Sequence, residues 1–174
     1  MANDIDTLLD PIECVITDCD GILTDGKIYL TGEGEQIKAF HAHDGSGIKL
    51  LQQFGFLVSL ISGRDSPPLA ERAEELDFDE FFPGSDDKIE PYRTIRQKHD
   101  LSSEQICYLG DDLTDLQPFE EAGFSATVPD ASDEIRKRAD YITDTRGGNG
   151  AFREVAELLL KAHNSWNDVL DCYR

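Results

Sequence analysis

The sequence predicts an α/β protein, a three-layer Rossmann-like parallel sheet with helices on both faces and a β-hairpin arm. Three observations carry this. Short apolar runs alternate with helical stretches along the chain, the pattern of repeated βαβ units. Polar residues of chemical interest stand just after the apolar runs, where parallel sheets place their sites. A Gly-rich segment between the first strand and the first helix alternates around a turn, as a hairpin does.

Taken in order, residues 14–17 are an apolar strand that ends at Asp18. Residues 27–30 and 36–40 flank Thr31-Gly32-Glu33-Gly34 and form the hairpin. A helix is expected over 47–54, closed by Gly55. Residues 57–61 are a buried strand. The helix over 67–76 begins with two prolines, which suit a first turn. A short strand covers 80–82 and an amphipathic helix 89–99. Ser102 or Ser103 caps the turn before a strand at 106–109. A helix at 116–122, a strand at 124–127, a helix at 135–139 and a strand at 141–142 follow. The longest helix is 151–162. No linker or repeat divides the chain, so 1–174 reads as one domain with a hairpin arm at 27–40 and a C-terminal tail at 164–174.

Composition narrows the function. Thirty-six acidic residues against sixteen Lys and Arg give a formal charge of -20, which disfavours nucleic acid as a partner. No apolar run approaches the roughly 20 residues of a membrane span. The acidic N-terminus lacks the basic and apolar regions of a signal peptide, and a cytoplasmic location is expected. Cys14, Cys19, Cys107 and Cys172 have no metal-site spacing and read as free thiols.

Four strand ends carry the chemistry. They supply Asp18-Cys19-Asp20-Gly21, then Ser62-Gly63-Arg64, then Lys88, then Gly110-Asp111-Asp112. A parallel sheet gathers these ends into one pocket. Several carboxylates there would raise each other's pKa, and a hard divalent cation resolves the conflict. Oxygen ligands of this kind suit Mg²⁺. Asp18 and Asp20, two residues apart, can flank one phosphoryl group, one attacking phosphorus and the other protonating the leaving oxygen. Ser62 and Lys88 can hold the phosphoryl oxygens.

The motifs DCDGILTDG, ISGR, DDK and GDDLTD, in this order, resemble those of the haloacid dehalogenase superfamily of phosphatases. RGGNGAFREVAELLL and the tail with Trp166 and Tyr173 resemble its small, capless branch, which includes the 3-deoxy-D-manno-octulosonate 8-phosphate phosphatases. The resemblance covers roughly residues 12–173. It implies no large cap domain, a Mg²⁺ cofactor and a sugar-acid phosphate substrate. It implies Asp18 as nucleophile and metal ligand, and Asp20 as general acid/base and carbonyl ligand. Asp111 becomes the third metal ligand, with Asp112 and Asp115 orienting the ligands. His41, His43, Asp44, Gly45, Lys49, Gly63, Arg64 and Arg72 become substrate contacts. The hairpin implies a homotetramer in which neighbours close each other's sites, and the pathway implied is lipopolysaccharide biosynthesis.

The sequence departs from the branch at His41-Ala42-His43, where many members carry Asn-x-Arg, and at Lys49 and Asn149, where several carry Arg. Guanidinium forks are thereby replaced by groups less suited to a carboxylate. A nine-carbon sialic-type sugar acid 9-phosphate is the alternative substrate. A phosphorelay receiver domain also uses an Asp, an acid cluster, a hydroxyl and a Lys, but there the acid pair precedes the phospho-acceptor. A non-catalytic partner module would not need acids at every motif.

Overall fold

The computed structural model describes residues 3–34 and 36–174; Met1, Ala2 and Glu35, the last inside the expected hairpin, lie outside the described residues. In chain order the elements begin with α1 (Asn3–Leu9), β1 (Cys14–Thr17), β2 (Tyr29–Leu30) and β3 (Gln36–Ile37). Then come α2 (Ala42–Gln53), β4 (Leu57–Ile61), α3 (Pro67–Leu76), β5 (Glu80–Phe82) and α4 (Ile89–Lys98). The chain continues through β6 (Ile106–Leu109), α5 (Leu116–Glu121), β7 (Phe124–Thr127), α6 (Asp133–Arg136) and β8 (Tyr141–Ile142), and ends with α7 (Ala151–Ala162) and α8 (Trp166–Asp171).

Six strands form one parallel sheet in the order β5-β4-β1-β6-β7-β8. The central strand β1 aligns Cys14 with Leu57 on one side and with Ile106 on the other. Both neighbours are as apolar as β1, because helices cover both faces and no position can face water. The chain winds outward from β1 to β5, then returns to β6 on the far side. The strand order reverses at β1, and the carboxyl ends open a crevice there.

The expected strands at 57–61, 80–82, 106–109, 124–127 and 141–142 are found with those bounds. The helix over 67–76 is also as expected. Pro67 and Pro68 open it, and Asp77 in the left-handed region closes it. Three differences have physical causes. First, α2 starts at Ala42 rather than at residue 47, because His41 caps it by accepting from the His43 N–H. Gly45 and Gly47 then lie inside a helix. Each makes room for a close neighbour: a Cβ on Gly45 would meet the Arg72 guanidinium, and one on Gly47 the Arg153 backbone on α7. Second, among the described residues the hairpin ladder pairs Tyr29 with Ile37 and Leu30 with Gln36, shorter than 27–30 with 36–40. Third, α1 and α8 had no counterpart in the sequence reading. They are short, and bury Leu9 and Val169 respectively.

Candidate active site

β1 delivers Asp18 to the crevice. The Asp18 N–H donates to the Leu109 carbonyl at 2.9 Å, extending the ladder with β6 by one residue. The chain then turns sharply. The N–H groups of Leu23 and Thr24 donate to the Cys19 carbonyl, and Gly21 adopts φ +100. A Cβ at Gly21 would overlap the Asp111 carboxylate, so glycine is needed for two strand ends to approach. Behind this turn Gly147 and Gly148 press equally close, against the Gly21 carbonyl and the Thr24–Asp25 backbone. The Gly148 N–H donates to the Ile22 carbonyl at 2.9 Å.

β5 leads to Lys88, which is buried. Its Nζ stands 2.8 Å from an Asp18 oxygen and 2.7 Å from Asp115 Oδ1. Asp115 is fully enclosed and saturated. Its Oδ1 also accepts from the Tyr108 hydroxyl at 2.7 Å, and its Oδ2 accepts from the N–H groups of Asp111 and Asp112 at 3.2 and 3.3 Å. Asp115 thus fixes the loop after β6 and holds Lys88 toward Asp18. At the end of β4, the buried Ser62 Oγ accepts from the Arg64 N–H at 3.2 Å. The resulting cleft, about 540 Å³, is lined by Asp18, Asp20, Gly63, Arg64, Lys88, Asp111 and Asp112, with Thr114 and Asp86 at its edge.

Oxygens of Asp18, Asp111 and Asp115 all lie within 4.8 Å of one another. One ammonium serves two buried carboxylates, Asp18 and Asp115, and a third, half-buried one, Asp111, stands beside them, and the acids respond. Burial and the Asp115 charge hold the Asp18 carboxyl well above its usual range, against the pull of Lys88. Burial and Asp115 likewise push Asp111 up to about 7. Burial works against the charge on Lys88, yet Asp18 and Asp115 more than offset it and its pKa is raised. Such a group fits a hard divalent cation, which would remove the mutual repulsion of the acids. Asp20 Oδ2, buried without a hydrogen-bond partner, marks a further unsatisfied acid oxygen beside it.

The other expected substrate residues lie elsewhere. Asp44 is buried, and its carboxylate accepts from the N–H groups of Gly150 and Arg153 at 3.2 and 3.0 Å. It ties α2 to the start of α7 and has no face toward the cleft lining; Gly45, packed under Arg72, also has none. His41 is spent on capping α2, with the His43 ring edge-on at 4.9 Å. Lys49 donates to the Leu76 carbonyl at 2.6 Å and, with Arg72 and Tyr173, lines a separate groove of about 370 Å³. Arg72 pairs with Glu75 at 2.7 Å and lies over the Phe40 ring.

Two neighbours of the cluster carry little local signal in the sequence. Tyr108 sits in a buried strand, where a phenol reads as one more large apolar residue. Lys38 forms an ion pair with Asp20, and only its place in an alternating hairpin strand could have pointed to it.

Comparison with known proteins agrees with this geometry. The sequence profile of haloacid dehalogenase-like hydrolases matches residues 78–155. The 3-deoxy-D-manno-octulosonate 8-phosphate phosphatase of Haemophilus influenzae is 41% identical over 88% of this chain and 86% of its own. The crystal structure of the Moraxella catarrhalis phosphatase of the same name, solved with magnesium, phosphate and a KDO molecule, is 38% identical. It superposes with a TM-score of 0.97 over 100% of both chains. A cobalt-bound structure of the Haemophilus influenzae enzyme is 40% identical, with a TM-score of 0.87 over 90% of this chain and 92% of that one. On this identity and coverage, the chain belongs to the haloacid dehalogenase-like hydrolases, in the family of the 3-deoxy-D-manno-octulosonate 8-phosphate phosphatases.

Proposed function

We propose that the chain is a Mg²⁺-dependent phosphatase of 3-deoxy-D-manno-octulosonate 8-phosphate that works through an aspartyl-phosphate on Asp18. The observation that carries this reading is the placement of Lys88 2.8 Å from Asp18, inside a cluster of acids at the crevice of a parallel sheet. A carboxylate oriented by an ammonium in a water-poor cleft is suited to attack phosphorus. Asp18, Asp111 and the Asp20 backbone carbonyl would hold the Mg²⁺. When bound, the ion supplies charge to offset the acids and the phosphoryl oxygens.

The chain's own residues do the rest. Asp18 attacks phosphorus as the bond to the sugar oxygen breaks, and Asp20 gives that oxygen a proton. Asp20 then takes a proton from water as the water oxygen bonds to phosphorus and releases Asp18. Lys88 and the Ser62 hydroxyl hold the phosphoryl oxygens. Asp115 keeps Lys88 in place, Asp112 next to Asp111 starts the turn that leads to Asp115, and Gly63 and Arg64 meet the substrate. The relative solved with KDO supports an eight-carbon acid over a nine-carbon one.

Further readings follow from the surface. Ile28, Tyr29, Leu30 and Ile37 on the arm are exposed, which suits burial against other copies in a homotetramer. In that assembly a neighbour's arm would close the cleft, and the Lys49–Arg72 groove would be offered to the substrate's carboxylate. Residues 1–174 are read as one domain, the tail at 164–174 packing on α7. Four free cysteines suit the reducing cytoplasm.

The test is phosphate release from a panel of sugar phosphates with and without Mg²⁺. Strong Mg²⁺-dependent preference for the octulosonate ester is expected, and Asp18→Asn should lose turnover while keeping its circular-dichroism spectrum. Near-normal turnover in that variant would refute the mechanism.

A further inference from the structure

Lys38 follows the last paired residue of β3. Its side chain is only 5% exposed, although Ile37 beside it is 58% exposed. A lysine hidden on an otherwise open arm has a specific partner, and here it is Asp20. The ion pair falls on Asp20 Oδ1. Thr24 Oγ1 reaches the same oxygen at 3.5 Å, and also accepts from the Gly21 and Gly26 N–H groups at 3.4 and 3.2 Å. Asp20 Oδ2 is enclosed and has no hydrogen-bond partner among the described residues. The carboxyl is therefore held through one oxygen alone, Oδ1. The other buried ammonium of the cleft, Lys88, is committed to Asp18 and Asp115.

We propose that Lys38 is a positioning residue for Asp20, holding its carboxyl at Oδ1 and so fixing the aim with which it gives and takes a proton. This rests on the phosphatase reading above. In the first step the electron pair of the breaking P–O bond goes to the leaving oxygen, which takes the proton from the Asp20 carboxyl. In the second, the Asp20 carboxylate takes a proton from the attacking water. A carboxyl free to rotate would lose that aim, and small errors of aim cost rate heavily. The arm gains a second task from this contact. Among the described residues its ladder has two residue pairs, and an isolated two-stranded hairpin is marginal by itself. The Lys38–Asp20 pair anchors the arm to the loop after β1, so the placement of the arm and the aim of Asp20 depend on each other.

The experiment compares Lys38→Met and Lys38→Arg with the wild type on two substrates. One is octulosonate 8-phosphate, whose alkoxide must be protonated to leave. The other is p-nitrophenyl phosphate, whose phenolate leaves without a proton. Lys38→Met should lower kcat on the sugar phosphate by about 10²-fold, the usual worth of a positioned acid. Its KM should change by less than about threefold, because the interaction is made with Asp20 and not with substrate. The single-turnover release of p-nitrophenolate, which needs no proton from Asp20, should slow at least about tenfold less than the single-turnover cleavage of the sugar phosphate, and Lys38→Arg should recover much of the sugar-phosphate rate. Equal slowing of these two first steps, or a rise in KM with kcat unchanged, overturns the proposal. Should Lys38→Met fail to fold, Lys38→Gln carries the same comparison. A wild type that releases phosphate from neither substrate defeats the phosphatase reading instead, so the two failures are distinct.

Discussion

Asp115→Ala is the most informative perturbation of the cluster. The carboxylate accepts from Lys88 and from Tyr108 at 2.7 Å each, and from two backbone N–H groups at 3.2 and 3.3 Å. Removing one partner of a buried, hydrogen-bonded charge pair costs about 3–5 kcal/mol. Two effects reduce this. Lys88 keeps Asp18 at 2.8 Å, and the repulsion that Asp115 exerts on Asp18 and Asp111 disappears. Allowing about 1 kcal/mol for that relief leaves a net loss of about 2–4 kcal/mol. For a chain of this size each kcal/mol moves Tm by about 2–4 °C, so a fall of about 5–15 °C is expected. Thermal unfolding followed by circular dichroism, with a chelator present to remove metal effects, measures it. Tyr108→Phe deletes only one of the four contacts and should cost about 1.5 kcal/mol. A fall below about 2 °C for Asp115→Ala would mean that relief of repulsion nearly cancels the pairing, and a rise that it outweighs it; either would refute the view of Asp115 as the anchor of Lys88.

Further outcomes follow from the same geometry. Asp111 titrates near 7 when folded and at 3.8 ordinarily, so between these values the folded chain holds a proton that the unfolded chain has released. Metal-free wild type should therefore lose stability relative to Asp111→Asn as pH rises through that window, as denaturant titration at several pH values would reveal; a parallel pH dependence of the two proteins would contradict it. Mg²⁺ must displace this proton, and Asp18 is raised as well, so its affinity by calorimetry should rise with pH through about 7. Gly21→Ala forces a Cβ into the Asp111 carboxylate at a positive φ, and should cost about 1–3 kcal/mol of stability together with most of the Mg²⁺ affinity; unchanged calorimetric binding would sink this. Cys14 is pushed up to about 12 by burial, Cys19 and Cys107 are also raised by burial, and Cys172 is exposed. A disulfide reagent should label one thiol rapidly in the native protein and the other three only on unfolding.

How much of this was legible in the sequence depended on how local the cause was. Strands β1, β4 and β6 are buried on both faces, so a continuous apolar run was enough to find them. Helix α3 is marked at both ends by residues that act locally, Pro67-Pro68 and the left-handed Asp77. The start of α2 was not legible, because Gly45 and Gly47 look like loop residues until Arg72 and Arg153 are known to press on them. Asp44 is a substrate contact by family resemblance alone, and the sequence gives no hint of its structural task. Its partners, the N–H groups of Gly150 and Arg153, are more than a hundred residues away in sequence, and no local pattern reports them. The acids and Lys88 of the cluster were legible for the opposite reason: each stands at a strand end, and parallel topology turns that local position into a shared site. Tyr108 lies one residue inside such an end and so was hidden.

The cluster also shows why a chain of charge -20 would concentrate carboxylates where they repel each other. Asp115 raises the pKa of both Asp18 and Asp111, yet it is the residue that brings Lys88 to Asp18. Replacing it with an apolar residue would quiet the repulsion and release the lysine in one step. Pairing every acid with its own lysine would be more stable, but it would leave no carboxylate oxygen free for a cation or for attack on phosphorus. One ammonium among three acids is thus a compromise: enough positive charge to keep the fold, and too little to satisfy the site. The electrostatic demand that remains is local, enclosed in low dielectric and screened little by salt. The charges spread over the rest of the surface act through water and contribute far less at the cleft. Strain of this kind, held in place by a rigid six-stranded sheet, is what a divalent cation and a phosphoryl group together would relieve.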